Sequence, residues 1–193
     1  MAILIAVLLG AAAIVTAFSA YKNELRNHEA TIKFNQGVVH TNQASQSYTQ
    51  GSQVRAQDQA LFLEFAKAAN SNDKGLTAYV HDTLMSPSLR KSVDWWSNTK
   101  DSVDSPFVRQ NPYYKIAQNN RGDELTIEAR KDFKEAKHEQ NVSDQYTVVE
   151  VILASALFLL GIAGVSSRRS IKLGAVSAGG AIFLVALITL VTI

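Results

Sequence analysis

Three stretches of this chain are long, apolar and almost free of charge, and they constrain the fold before anything else does. Residues 1–21 contain no charged side chain, residues 146–165 contain only Glu150, and residues 173–193 again contain none. Twenty residues of α-helix extend about 30 Å, the thickness of a bilayer's hydrocarbon core. Helix is also the form in which a lipid-exposed segment satisfies its own backbone. The spans are read as 1–21, 146–165 and 171–193. For the first, the rival is a cleaved signal peptide, since Ala17-Phe18-Ser19 offers small residues at a cleavage site. A charged leading region is missing and the apolar stretch is too long, so the expectation is a retained anchor.

Only Ser166–Ser170 joins the second and third spans, which predicts a tight antiparallel hairpin. Tyr21 and Tyr146 stand at the domain-side ends of the first two, where amphipathic rings favour headgroup depth. Arg168 and Arg169, with Lys172 just beyond, anchor the other side. The positive-inside tendency then puts loop 166–170 in the cytoplasm and the domain outside the plasma membrane. Lys22, Arg26, Lys33, Lys131, Lys134 and Lys137 on the domain side oppose this, but long domains cross largely regardless of charge.

Small residues recur at spacing four, at Ala6 and Gly10, Ala13 and Ala17, and Ala175 and Gly179, which lets helix backbones approach closely. The partner is either another span of the same chain or a second subunit.

The charged residues, 19 basic and 17 acidic for a net +2, fall mostly between Lys22 and Asp144. Within Glu128–Glu139 the two signs alternate, as on a solvated helix face, and no basic stripe points to nucleic acid. With no cysteine, disulfides, thiolate metal sites and cysteine nucleophiles are excluded.

The extramembrane domain, 22–145, divides into a long helix over 22–69, a head over 70–111 and a returning helix over 112–145. The first is expected either unbroken or interrupted near Gly37 or Gly51. A heptad-like count along it picks out Phe34, Val38, Thr41, Ser45, Tyr48, Ser52, Arg55, Gln59, Phe62, Ala66 and Ala69 as a helix–helix seam. It serves as a close hairpin contact or, in an oligomer, as a hydrated path lined by Thr41, Ser45 and Ser52. Residues 60–66 are apolar nearly all round and are expected to be buried. Asn70–Gly75 reads as a turn, leading to short helices at Leu76–Met85 and, capped by Ser86-Pro87, through Trp96. The returning helix starts near Pro112, with a possible break at Asn119–Gly122. At 1.5 Å per residue the two long helices reach ~70 and ~50 Å, so a protruding hairpin is expected.

Little in this pattern points to catalysis. His28, His40, His81 and His138 show no spacing that makes a metal pair, and no phosphate loop or nucleophile motif occurs. No cofactor or metal is expected. Trp95, Trp96, Phe107, Tyr113 and Tyr114 gather aromatic area in the head, as its own small core or as a partner or ligand surface. Glu150 is the one acid inside a span. It lies either at headgroup depth, one turn inside Tyr146, or on a polar path.

The order of features resembles a family of small bacterial membrane proteins of unknown function, with an amino-terminal span, a helical domain and a carboxy-terminal membrane hairpin. The resemblance rests on Ala20-Tyr21; on Arg55, Leu61-Phe62 and Phe65; on Pro87-Ser-Leu-Arg-Lys-Ser-Val-Asp-Trp95-Trp96; on Ser105-Pro106-Phe107 and Pro112-Tyr113; and on Ser143-Asp144-Gln145-Tyr146 with Leu157-Phe158-Leu159-Leu160-Gly161-Ile162. It implies an architecture and no activity.

The expected fold is all-α, three transmembrane helices with a helical extramembrane domain. The expected function is non-enzymatic, as a structural or accessory component whose partners are the lipid bilayer and copies of itself or other membrane-protein subunits. An oligomeric channel or transporter with a polar path near Glu150 is the first rival, and a membrane-bound enzyme the second.

Overall fold

A computed structural model describes residues 2–99 and 103–193. Among these residues the chain is all α, without a strand. Helix α1 is Ala2–Asn70; α2, Lys74–Tyr79, passes into a π-helical turn at Val80–Leu84; α3 is Pro87–Thr99, α4 Ala117–Val165 and α5 Arg169–Thr192. Helices α1, α4 and α5 each contain a segment long and apolar enough to cross a membrane. Two units divide the chain, one made of residues 1–38 with 130–193 and the other of residues 39–129.

In the first unit α1 and α4 run antiparallel, and α5 packs beside them. Ala12, Val149, Leu153, Ala156, Phe183 and Ala186 form its apolar core. Beyond the apolar segments the buried positions of this unit are small residues, Ala30 and Gly37 on α1 and Ala136 and Ser143 on α4. At Gly37 a Cβ would lie 2.8 Å from the Phe133 ring. Glycine inside a helix costs about 1 kcal/mol relative to alanine. Here it admits the ring, and α1 runs through Gly37 without a break.

Gly179 does the same for α5. A Cβ there would meet Leu160 Cγ at 3.0 Å and the Ala156 carbonyl oxygen at 3.2 Å. Of the residues in the small pairs, Gly179 is therefore used within the chain. Ala6, Gly10, Ala13 and Ala17 are all exposed, and Gly10 has nothing within 4 Å of its Cβ position.

In the second unit the same helices meet through Ala44 and Gly51 on α1 and Gly122 and Ala129 on α4. A Cβ on Gly122 would fall 2.7 Å from the Tyr48 ring, and one on Gly51 would overlap Asn119 Oδ1. Neither Gly51 nor the Asn119–Gly122 stretch breaks its helix, because each is a point of close approach.

Helix α1 closes with Asn72 in the left-handed region, φ 57°. The Asp73 N–H donates to the Ala68 carbonyl and the Asn72 N–H to that of Ala69, the paired closure of a Schellman cap. Asp73 then caps α2, its side chain accepting from the Leu76 N–H at 3.0 Å. Ser86 accepts from Leu89 N–H at 3.2 Å, with Pro87 in the first turn of α3. Val80, Met85, Leu89 and Val93 form the head core, and Leu61, Phe62, Phe65, Phe107 and Tyr114 pack on it.

Three expectations are corrected. The α1 seam lies one residue from the predicted register: Ala30, Gly37, Ala44, Gly51 and Asp58 are inward, whereas every predicted seam residue except Phe62 and Ala66 is exposed. The predicted set followed the larger side chains, Phe34, Tyr48 and Phe62. Close approach instead places the smallest residues between the backbones and sets the rings beside them. Thr41, Ser45 and Ser52 lie on the exposed side of α1, outside the α1–α4 contact. Second, residues 60–66 bury one face only, and Leu63 is 53% exposed. Third, α4 begins at Ala117 rather than Pro112. Asn111 Oδ1 accepts from the Tyr113 N–H at 3.0 Å, and Ser88 Oγ donates to the Tyr113 carbonyl at 2.9 Å, fixing the preceding stretch outside the helix.

The close approach is open to test. Gly122→Leu is expected to cost about 1–3 kcal/mol through overpacking, seen as earlier thermal unfolding in detergent. Gly174→Ala, with nothing within 4 Å of its Cβ position, should change stability by less than about 1 kcal/mol.

Candidate functional site

Two polar or aromatic constellations stand out, one in each unit. In the first, Asn23 is the hub. Its Nδ2 donates to Thr147 Oγ1 at 3.0 Å and to Glu150 Oε1 at 3.1 Å, while Ser143 Oγ donates to Asn23 Oδ1. Ser19 Oγ, on a fully buried residue, donates to the Tyr146 carbonyl at 3.4 Å. Glu150 thus has a partner inside the chain, one turn from Tyr146, and links α4 to α1.

The ladder continues with Arg26–Glu139 at 2.9 Å and Lys33–Glu135 at 2.7 Å. The hydrogen bond with Glu139 raises the Arg26 pKa. The Lys33–Glu135 hydrogen bond raises the lysine and lowers the carboxyl. All four side chains are partly exposed, so these pairs align the helices more than they stabilise them. Of the predicted interface anchors, Tyr21 is 65% exposed and Tyr146 half-buried, with the Lys22 ammonium 5.8 Å from the Phe18 ring centre. Arg168 and Arg169 are exposed in the α4–α5 connection.

In the second unit the five head aromatics divide. Trp96 meets Phe62 edge-on at 5.1 Å, Phe62 meets Phe107 at 5.6 Å, and Phe107 meets Tyr114 at 4.9 Å. Trp96 Nε1 donates to the Val103 carbonyl at 2.9 Å, holding the loop that follows α3. These three aromatics belong to the head's own core. Trp95 and Tyr113 do not: they line a shallow surface groove of about 420 Å³ with Lys91, Asp94, Asn98 and Thr99, and Tyr113 is 49% exposed. The adjacent tryptophans point in different directions, as a helix requires.

Sequence pattern alone missed Asp58. It occupies an inward position of α1, is 7% exposed, and accepts from the Tyr114 hydroxyl at 3.1 Å. Burial raises its pKa, opposed by that hydrogen bond. Burial raises the Tyr114 pKa too, helped by the nearby carboxylate. Asn23, Ser143 and Asp58 all sit on the seven-residue spacing of the seam, so a correct register would have found them.

His81 contacts Asp82 Oδ1 at 2.7 Å through Nδ1 and Asp94 Oδ1 at 2.8 Å through Nε2, tying the π-helical turn to α3. His40 lies 3.7 Å from Glu128. Among the described residues no group of three His, Cys, Asp or Glu is placed to hold a metal. Open grooves follow the sides of the α1–α4 pair. One, of about 610 Å³, is bordered mostly by charged side chains, Lys33, Lys131, Glu135 and His138 among them.

Tyr114→Phe is expected to cost about 1–3 kcal/mol at neutral pH by removing the donor from a buried carboxylate. The Asp58 pKa is raised in the folded state, so its ionised form opposes folding, and that opposition fades as pH falls through the raised value toward 3.8. The penalty of Tyr114→Phe should therefore shrink in acid, measured as unfolding free energy against pH. A penalty independent of pH would show that Asp58 is not involved.

Comparison with known protein families, curated proteins and solved structures finds no match to this chain.

Proposed function

We propose that the protein is a non-enzymatic, multi-pass protein of the plasma membrane that acts as a structural or accessory component, assembling with copies of itself or within a larger membrane complex. One observation carries most of this reading: the small-residue face of α1, at Ala6, Gly10, Ala13 and Ala17, is exposed among large aliphatics such as Ile3, Val7 and Ile14. Small residues are what one membrane helix offers another for close packing. The chain's own α4 and α5 use the opposite face, through Ala12. The Asn23 hydrogen bond supports a structural role for Glu150 in preference to a pore-lining one. The resemblance to small bacterial three-span proteins is part of the same proposal and supports the architecture.

Native mass spectrometry of the complex released from its source membrane should find a closed homo-oligomer or a fixed-ratio assembly with other subunits. Gly10→Leu should reduce a homo-oligomer to smaller species. A monomer, with no co-purifying subunit, would overturn the reading.

The orientation belongs to the proposal too, with loop 166–170 cytoplasmic and the domain outside. Its support is the run Arg168, Arg169 and Lys172 in a connection short enough for the positive-inside tendency to act. The chain has no cysteine, so single substitutions report cleanly. In intact cells a membrane-impermeant maleimide should label Ser71→Cys and spare Ser167→Cys, and the reverse pattern would invert the topology.

A further inference from the structure

Arg168, Arg169 and Lys172 fall within five residues, and from Val151 to Ile193 the chain has no acidic side chain. Among the described residues none of the three is seen in an ion pair. Arg168 and Arg169 are exposed, and Lys172 is half-buried along α5. Next to them, Val165 at the end of α4 is 87% exposed and Ile171 at the start of α5 is 47% exposed. Two apolar helices therefore deliver three cations to the level where their own hydrocarbon surface ends.

The domain side of the same unit is different. There Arg26 meets Glu139, Lys33 meets Glu135 at 2.7 Å, and Lys131 lies 3.9 Å from Glu135. Arg26, Lys33 and Lys131 near that end have acidic partners in the chain, whereas among the described residues Arg168, Arg169 and Lys172 are seen with none.

We propose that residues 166–172 form a docking surface for anionic phospholipid, with the headgroup phosphates as counter-charge to Arg168, Arg169 and Lys172. The inference rests on the reading of 146–165 and 171–193 as membrane spans and goes beyond it by naming a lipid class. Guanidinium groups pair with phosphate oxygens through two parallel N–H bonds. The lysine, lying along the helix, extends its ammonium toward the same layer. Basic residues at a membrane surface each gain about 1 kcal/mol from anionic lipid, so three distinguish anionic from zwitterionic lipid by about a hundredfold. The attraction falls with ionic strength.

The full chain in detergent is titrated with phosphatidylglycerol and with phosphatidylcholine of identical acyl chains, and retained lipid is read by native mass spectrometry. About a hundredfold preference for phosphatidylglycerol is expected at low salt, with most of it lost near 0.5 M salt. The triple variant R168Q/R169Q/K172Q should bind both lipids alike. K131Q/K134Q, on the domain side, should keep the preference, and R168K/R169K should keep most of it. Equal binding of the two lipids by the wild type, or a preference unmoved by salt, overturns the proposal without any variant. Displacement by inorganic phosphate at equal concentration would identify a free-anion site and also overturn it. Flotation with neutral vesicles after detergent removal separates the two readings: a chain that fails to float sinks the membrane assignment. A chain that floats without lipid preference sinks only this inference.

Discussion

Close approach of α1 and α4 is the constraint on which the other features depend, and it is set by side-chain size. Ala30, Gly37, Ala44 and Gly51 recur every seven residues on α1, and Gly122, Ala129, Ala136 and Ser143 do so on α4. A strict seven-residue repeat keeps a contact stripe on one face when two helices wind gently left-handed about each other. With so little side chain between the backbones, longer residues beside the stripe reach across it. Phe133 covers Gly37 and Tyr48 covers Gly122. Arg26, Lys33 and His40 meet Glu139, Glu135 and Glu128. The charged and aromatic pairs follow from the alanine and glycine stripe.

Such a stripe suits lipid and water unequally. Between lipid-facing helices, packing and hydrogen bonding drive association, and small residues maximise the contact. In water, alanine and glycine bury little apolar area, so the helix pair gains little from the hydrophobic effect. The head offsets this with Leu89 and Val93, 0% and 1% exposed, under the Phe62, Trp96, Phe107 and Tyr114 rings. Fully burying side chains of that size contributes about 1.5–3 kcal/mol each.

The three long apolar helical segments, the helical class and the seven-residue period of α1 were legible because each is written as a pattern over many residues. Phase was not. A count started from the bulky Phe34, Tyr48 and Phe62 runs through Val38, Ser45, Ser52 and Gln59, each one position past Gly37, Ala44, Gly51 and Asp58, and so selects the wrong face. The start of α4 was hidden for a different reason: residues 111–115 are held out of helix by bonds from Asn111 Nδ2 to the Ser92 carbonyl and from Ser88 Oγ to the Tyr113 carbonyl, partners distant in sequence. Glycines that could have been break points sit inside helices, since only the tertiary contact distinguishes a breaker from a point of close approach. Of the candidate site residues, sequence gave no means of dividing Trp95 from Trp96. Their roles depend on Phe62 and on the Val103 carbonyl.

A stripe of alanine and glycine carries little information about register, because a slip of seven residues sets one small side chain where another was. The polar residues embedded in it supply what the small ones lack. Shifted by one heptad, Asn23 would face Ala136, Gln140 and Ser143 or Glu150, Ala154 and Leu157, and would lose the joint pairing of its donor and acceptor with Ser143, Thr147 and Glu150. Asp58, shifted likewise, would lose the Tyr114 hydroxyl and keep its burial cost. An unpaired buried polar group costs about 1–3 kcal/mol, more for a charged one. That exceeds what exchanging alanine for glycine across the contact contributes, so these few polar residues decide the alignment of α1 that the small ones make close. A polar group within a helix seam serves the same end in coiled coils, where it fixes register at some expense in stability.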